Sequence, residues 1–238
     1  MTARTRNRAV PILIVIAAVL AVAVAVTVAF AFNRTPDPSA APEPSAPEAA
    51  PDAKPEDPAV SEIAFEERGF ALIDDDGTTV LEYDWQHEPT ETVAALTEAF
   101  GSEPTVGLIE GDGSHFPDYT VWEWPGFALA SMIESEDGKP REEYARASYV
   151  TLTATAVGDV TLTPEFGLWV GMPVDEARAA GPDLEEDHRD DAGGGLWLVY
   201  GKDRVDPDLV LPPYSVFAET GPDGATIERI EYDVWSEL

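Results

Sequence analysis

An α+β fold, preceded by a membrane-spanning helix and an unstructured stalk, is the architecture that this 238-residue sequence predicts. Three observations carry it. The first is an uncharged apolar run near the amino terminus, and the second is a proline-rich acidic stretch after it. The third is a set of strand-like segments, punctuated by tight turns, with a single helical pattern in each half.

Arg4, Arg6 and Arg8 lie in residues 1–8 and precede the apolar run, which extends from Ala9 to Phe32. As a helix that run spans roughly 35 Å, enough to cross the ~30 Å hydrocarbon core of a bilayer. Only Arg34 follows closely on the far side. The arginine bias therefore places residues 1–8 in the cytoplasm and everything past Asn33 outside. A cleaved signal peptide is the competing reading, because Ala29-Phe30-Ala31 offers a small-x-small site. The length of the run favours a retained signal anchor, since a signal h-region has only about 7–15 apolar residues. Asn33-Arg34-Thr35 fits a glycosylation sequon but abuts the membrane, so it reads as a chance match.

Residues 33–59 carry eight prolines, many alanines and several acids, leaving almost nothing to bury. Such a segment stays extended near ~3 Å per residue and reaches up to roughly 80 Å, as a stalk.

The folded part divides into two α+β units, 60–150 and 151–238. In the first, Phe70–Ile73 and Val80–Trp85 flank Asp74-Asp-Asp-Gly77, a hairpin signal. The aspartates lack the alternate spacing of a calcium loop, so turn chemistry is the better account. A helix follows over Pro89–Phe100, with Val93, Leu96 and Phe100 on one face and Gly101 as its stop. After a polar loop, Tyr119–Trp124 and Phe127–Met132 flank Pro125-Gly126 as a second hairpin. Tyr144–Val157 alternates, is β-branched, and reads as one long strand that leaves no linker between the units.

Gly158-Asp159 turns that strand into Val160–Thr163, and the second unit then repeats the logic. A short helix runs from Pro173 to Ala180 with a stop at Gly181, and strands follow at Leu196–Tyr200, Tyr214–Glu219 and Ala225–Tyr232. Pro89 and Pro173 thus open equivalent helices, 84 residues apart. Leu196–Tyr200 is apolar on both faces, which predicts a strand buried on both sides.

Leu162-Thr-Pro-Glu165, Leu168-Trp-Val-Gly-Met-Pro-Val-Asp-Glu-Ala-Arg-Ala-Ala-Gly181, and the closing Ser215–Glu219 and Ile227–Ile230 resemble one domain type. It recurs in uncharacterised actinobacterial membrane-anchored envelope proteins. In pattern it is similar to the modules of β-lactamase inhibitory protein and of small outer-membrane assembly lipoproteins. The resemblance covers about 165–235 well and 70–132 loosely. It implies a sheet with helices on one face, in tandem, and carries no catalytic residue across.

The chain has 46 acidic residues, all after position 36, against 14 basic ones, four of them at or before Arg34. The exported part therefore carries a formal charge of about −36. Nucleic acid is excluded as a partner, because the basic footprint it needs is missing. Zero cysteines exclude disulfides, thiol nucleophiles and cysteine-ligated zinc. The Arg-over-Lys, Ala- and Pro-rich bias is that of a GC-rich bacterial genome.

No catalytic constellation is readable, so no catalytic residue, metal ligand or cofactor is expected. His87, His115 and His188 form no helix pair of the zinc-binding kind, and Ser114 beside His115 lacks a nucleophile elbow. Gly193-Gly-Gly195 is not a phosphate-cradling loop. Glu185, Glu186, Asp187, Asp190 and Asp191 read as a solvated acidic surface beside Arg189. Trp122 and Trp124 are the candidate ligand-binding residues. Period two puts both indoles on one sheet face, either as core or as a stacking platform.

These readings predict a membrane-anchored, extracytoplasmic, non-enzymatic module that acts by binding or assembly at the cell envelope. An envelope protein or a cell-wall glycan is the expected partner, met on an open sheet face. The alternative is a surface hydrolase acting on carbohydrate or peptidoglycan through acidic residues.

Overall fold

The computed structural model describes residues 59–111, 117–133, 140–187, 194–202, 204 and 214–234. The apolar run and the stalk up to residue 58 lie outside the described residues. Among those described, no helix is long and apolar enough to cross a membrane. The described chain is mostly antiparallel sheet with few helices, an α+β-like architecture.

The described residues form thirteen strands and two α-helices. They are β1 Val60–Glu66, β2 Gly69–Asp74, β3 Thr79–Asp84, α1 Thr90–Phe100, β4 Thr105–Ile109, β5 Tyr119–Trp124, β6 Phe127–Met132 and β7 Ser148–Leu152. Then follow β8 Ala156–Val157, β9 Val160–Thr163, α2 Val174–Ala179, β10 Leu184–Asp187, β11 Leu196–Tyr200, β12 Tyr214–Thr220 and β13 Ile227–Val234.

The hairpins form where turn chemistry places them. Asp74 is buried, and its Oδ1 accepts the backbone N–H groups of Asp76 at 3.0 Å and Thr78 at 2.8 Å. The carboxylate is thereby spent on the β2–β3 turn. Helix α1 stops where Gly101 adopts φ 63°, a left-handed conformation that costs glycine little.

The strands assemble into a five-stranded sheet, ordered β3-β2-β1-β9-β8, and an eight-stranded sheet, ordered β10-β11-β12-β13-β7-β6-β5-β4. The larger sheet consists of two four-strand meanders, β4–β7 and β10–β13, joined edge to edge where β7 pairs antiparallel with β13. In the smaller sheet β1 pairs in parallel with β9.

Two expectations need correction. Tyr144–Val157 is not one strand: β7 belongs to the larger sheet and β8 to the smaller, with a 3-10 turn at Arg141–Glu143 before them. The alternation signal persisted because each piece buries alternate residues, but against different partners. The 150/151 boundary also falls inside β7, and the β1–β9 pairing joins strands from both segments.

One face of the eight-stranded sheet is the inner face. The five-stranded sheet covers its middle through aromatic rings, with Phe65 stacked on Tyr232 at 5.3 Å and Trp85 on Tyr214 at 5.1 Å. Phe70 meets Phe127 edge-on at 6.2 Å. Helix α1 covers one end through Phe100, whose ring lies 5.3 Å from Trp124. Helix α2 covers the other, where the Ala177 carbonyl accepts the Tyr200 hydroxyl at 2.7 Å.

Arg141 ties the two sheets at their margin. It donates to the carbonyls of Gln86, Met132 and Ala147 at 3.0, 3.2 and 3.0 Å, and to Ser131 Oγ and Ser148 Oγ at 2.8 and 2.5 Å. Ser148 Oγ also bonds the Tyr83 hydroxyl at 2.7 Å. A charged donor that satisfies several acceptors at once is worth more than a neutral bond.

Phe70→Ala opens a cavity between the sheets and lowers stability by about 3–5 kcal/mol. Arg141→Met removes a charged donor from five acceptors, of which the Ala147 carbonyl keeps the Met132 N–H and Ser148 Oγ keeps the Tyr83 hydroxyl, and costs about 2–4 kcal/mol. Both are read as a shift of the urea unfolding midpoint, and an unchanged midpoint would contradict the packing described.

Candidate functional site

Register alone fixes which side chains line the outer face of the eight-stranded sheet. Cross-strand partners share a face. Trp197 pairs with Glu219, Phe217 with Glu231, Glu219 with Arg229, and Ser215 with Asp233. On the other meander Ala130 pairs with Tyr149 and Val121, and Tyr119 pairs with Met132. Tyr119, Ala130 and Met132 are buried with Ala147 in a small core of their own on this face, and Tyr149 touches both that core and the main one. Among the described residues, no helix and no other sheet packs on this face.

At the β13–β7 seam the face carries a ladder of alternating charge. Arg146 Nη2 lies 2.5 Å from Asp233 Oδ2 and 3.5 Å from Glu231 Oε1. Glu231 Oε2 in turn lies 3.5 Å from Arg229 Nη2, which is 2.7 Å from Glu219 Oε2. Beneath the ladder, the Arg146 guanidinium sits 3.9 Å from the Tyr149 ring centroid. Among the described residues, the buried Nε atoms of Arg146 and Arg229 and the hydroxyl of Ser215 have no hydrogen-bond partner.

Burial pushes the Asp233 carboxyl up to about 7, against the pull of Arg146 and with the help of neighbouring Glu231. Burial likewise raises the Tyr119 phenol to about 12 and raises Tyr149.

Two adjoining hollows open beside the ladder. One of about 430 Å³ is lined by Ile109, Val121, Ala130, Arg146, Tyr149 and Glu231, among others. Its neighbour of about 350 Å³ runs past Thr105, Glu123, Pro125 and Thr153, and the two share Ala128 and Thr151. They form one shallow groove along β4–β7.

The two tryptophans singled out from the sequence lie on the opposite face. Trp124 is 2% exposed, packs under α1, and donates its indole N–H to the Ser102 carbonyl at 2.9 Å. Trp122 is half-buried against the same core. Period two was right about the shared face, and that face is the inner one. Of the two readings weighed for the pair, the core reading fits this geometry.

The acidic run 185–187 forms edge strand β10, paired with β11. His87 is exposed, while His115, His188, Asp190 and Asp191 lie outside the described residues. Among the described residues no group of acids and histidines is arranged to hold a metal ion. A second charged cluster sits away from the groove, where Arg204 reaches Glu165 at 2.8 and 3.1 Å and lies 4.9 Å from the Phe166 ring.

The sequence reading missed Arg146, Arg229, Glu231 and Asp233. Arg146 and Glu231 stand 85 positions apart. A local signal did exist, since Arg229, Glu231 and Asp233 alternate along β13, but the seam that brings Arg146 to them is tertiary.

Compared with known proteins, the chain matches no family model, no curated protein and no solved structure.

The raised Asp233 carboxyl makes stability depend on pH. The folded state holds its proton more tightly than the unfolded chain, where an aspartate titrates near ~3.9. Its contribution is therefore fully present below about pH 4 and is lost as pH rises through about 7. Asp233→Asn removes that component. Urea midpoints at pH 5 and pH 8 should differ less in the variant than in the parent, and an equal difference would show that another group is responsible.

Proposed function

We propose that this chain is a membrane-anchored, extracytoplasmic module that binds a partner at the cell envelope through the outer face of its eight-stranded sheet. The supporting observation is that face itself. It is broad, carries no helix among the described residues, and displays Tyr149, Trp197, Phe217, Arg146 and Arg229. Tyrosine, tryptophan and arginine dominate the energetics of protein contacts. In this reading two tandem units, each a helix followed by a four-strand meander, merge at β7 and β13 into one contact surface. The resemblance of the sequence pattern over about 165–235 to tandem envelope modules is a further support.

The anchor rests on the Ala9–Phe32 run and its arginine flank, and the stalk on residues 33–59. Together they hold an acidic body outside the cell at the end of a long tether. An envelope protein or a cell-wall glycan is the partner class within reach.

A second reading, a hydrolase acting on cell-surface carbohydrate, draws on the Asp233–Glu231 pair and the raised carboxyl. Its geometry is tight. A glycosidase pair stands about 5–10 Å apart with the sugar between, whereas these two carboxylates share one guanidinium nitrogen. Binding is therefore the stronger reading.

The test places a photo-cross-linking residue in the full chain in its native membrane, at Phe217 on the outer face or at Glu82 on the smaller sheet. Adducts with one envelope component should form from position 217 and not from position 82. Equal adducts from both would remove the contact surface. In intact cells, external protease should digest the body. Protection of the body, or its recovery from culture fluid starting at Phe32, would remove the anchor. If purified full-length protein released reducing ends from cell wall, and Glu231→Gln abolished this, the hydrolase reading would replace the first.

A further inference from the structure

The eight-stranded sheet has two edges, and they are built differently. β10 is Leu184-Glu-Glu-Asp187, three acids in four residues. The edges of the smaller sheet are also guarded, with Glu82 and Asp84 on β3 and only two residues in β8. β4 carries no such protection. Its sequence Thr105-Val-Gly-Leu-Ile109 has no charge and no proline, and its register against β5 runs without a bulge. Every residue of β4 is exposed, with Val106 at 61% and Leu108 at 57%. An unguarded apolar edge offers a row of backbone donors and acceptors to another strand, a hazard that folded proteins normally block.

Gly107 gives the second observation. It sits mid-strand, where glycine costs roughly 0.5–1 kcal/mol relative to alanine. Nothing among the described residues calls for it. Its φ is not positive, and a Cβ built on it meets no atom within 4 Å. A strand glycine without an internal reason marks a place where another backbone or ligand comes close.

The occupant follows from hydrogen bonding and charge. An edge recognises extended backbone, so the occupant is a strand. Exposed acids stand at both ends of β4: Glu103 and Glu123 at one, Glu110 and Asp118 at the other. A second copy would bring the same acids together, against like-charge repulsion. A segment with basic ends would be drawn in.

The geometry points to β4 as the docking edge for an extended segment of another protein, apolar at alternate positions and basic at its ends. Its backbone continues the sheet, and its side chain opposite Gly107 takes the space left bare there. This goes beyond the proposed contact face. It concerns the rim of the sheet and stands whether or not the outer face binds anything.

The test uses the detergent-solubilised full chain and a synthetic peptide with two lysines at each end and Val-Thr-Val-Tyr-Val between them. A peptide with proline replacing the central valine keeps the charge and cannot pair, and a third carries glutamates for the lysines. Fluorescence anisotropy should show the first peptide binding about tenfold or more tightly than either control. Leu108→Lys and Gly107→Val should each weaken it by a similar factor without lowering the thermal midpoint, which Gly107→Val should raise slightly. Hydrogen exchange with bound peptide should slow at Thr105–Ile109 and not at β10. Equal binding of the proline peptide, absence of binding, or unprotected β4 amides would each overturn the proposal. So would a dimer in sedimentation that Leu108→Lys abolishes, since the occupant would then be a second copy. The cross-linking result at Phe217 is independent of all these outcomes.

Discussion

The rings of Phe65, Phe70, Trp85, Phe127, Tyr214 and Tyr232 form the contact on which the rest of this structure depends. They come from five strands and the turn after β3, and they bring the two sheets together with centroid distances of 5.1–6.2 Å. Each buried ring contributes on the order of 2–3 kcal/mol of apolar burial, and its geometry restricts how the sheets can slide. A chain without cysteine has no covalent alternative. Arg141 completes the arrangement by replacing water for carbonyls at the sheet margin, where rings no longer reach.

Because that core takes up one face of the eight-stranded sheet, the other face is left for polar and mixed groups. The seam between the two meanders is where it becomes unusual. Arg146 has to satisfy two carboxylates with one nitrogen, and burial raises the cost of keeping Asp233 charged. Charges gathered on a sheet face by strand register stay close because the register is fixed by the core beneath them. Packing on the inner face thus decides electrostatics on the outer face.

Turns, helix starts and most strands were legible in the sequence because their causes are local. Asp74–Gly77 closes a hairpin with its own carboxylate, Pro89 and Pro173 precede helices, and Gly101 ends one. β1, β4 and β10 were not legible. β4 is exposed on both sides and so shows no alternation, and β10 reads as a charged loop because its acids mark an edge. The Trp122–Trp124 pair shows the limit of periodicity. It fixes that two side chains share a face and is silent about which face is covered.

The sequence by itself determined the acidic character of the body, the absence of disulfide chemistry, the α+β class and the positions of its tight turns. All of these are sums over composition or interactions within a few residues. The tertiary structure alone decided that β1 runs parallel to β9, that β7 meets β13, and that Arg146 reaches Asp233. Those contacts join residues far apart in the chain, and no local pattern encodes a partner whose position depends on how every intervening strand packs.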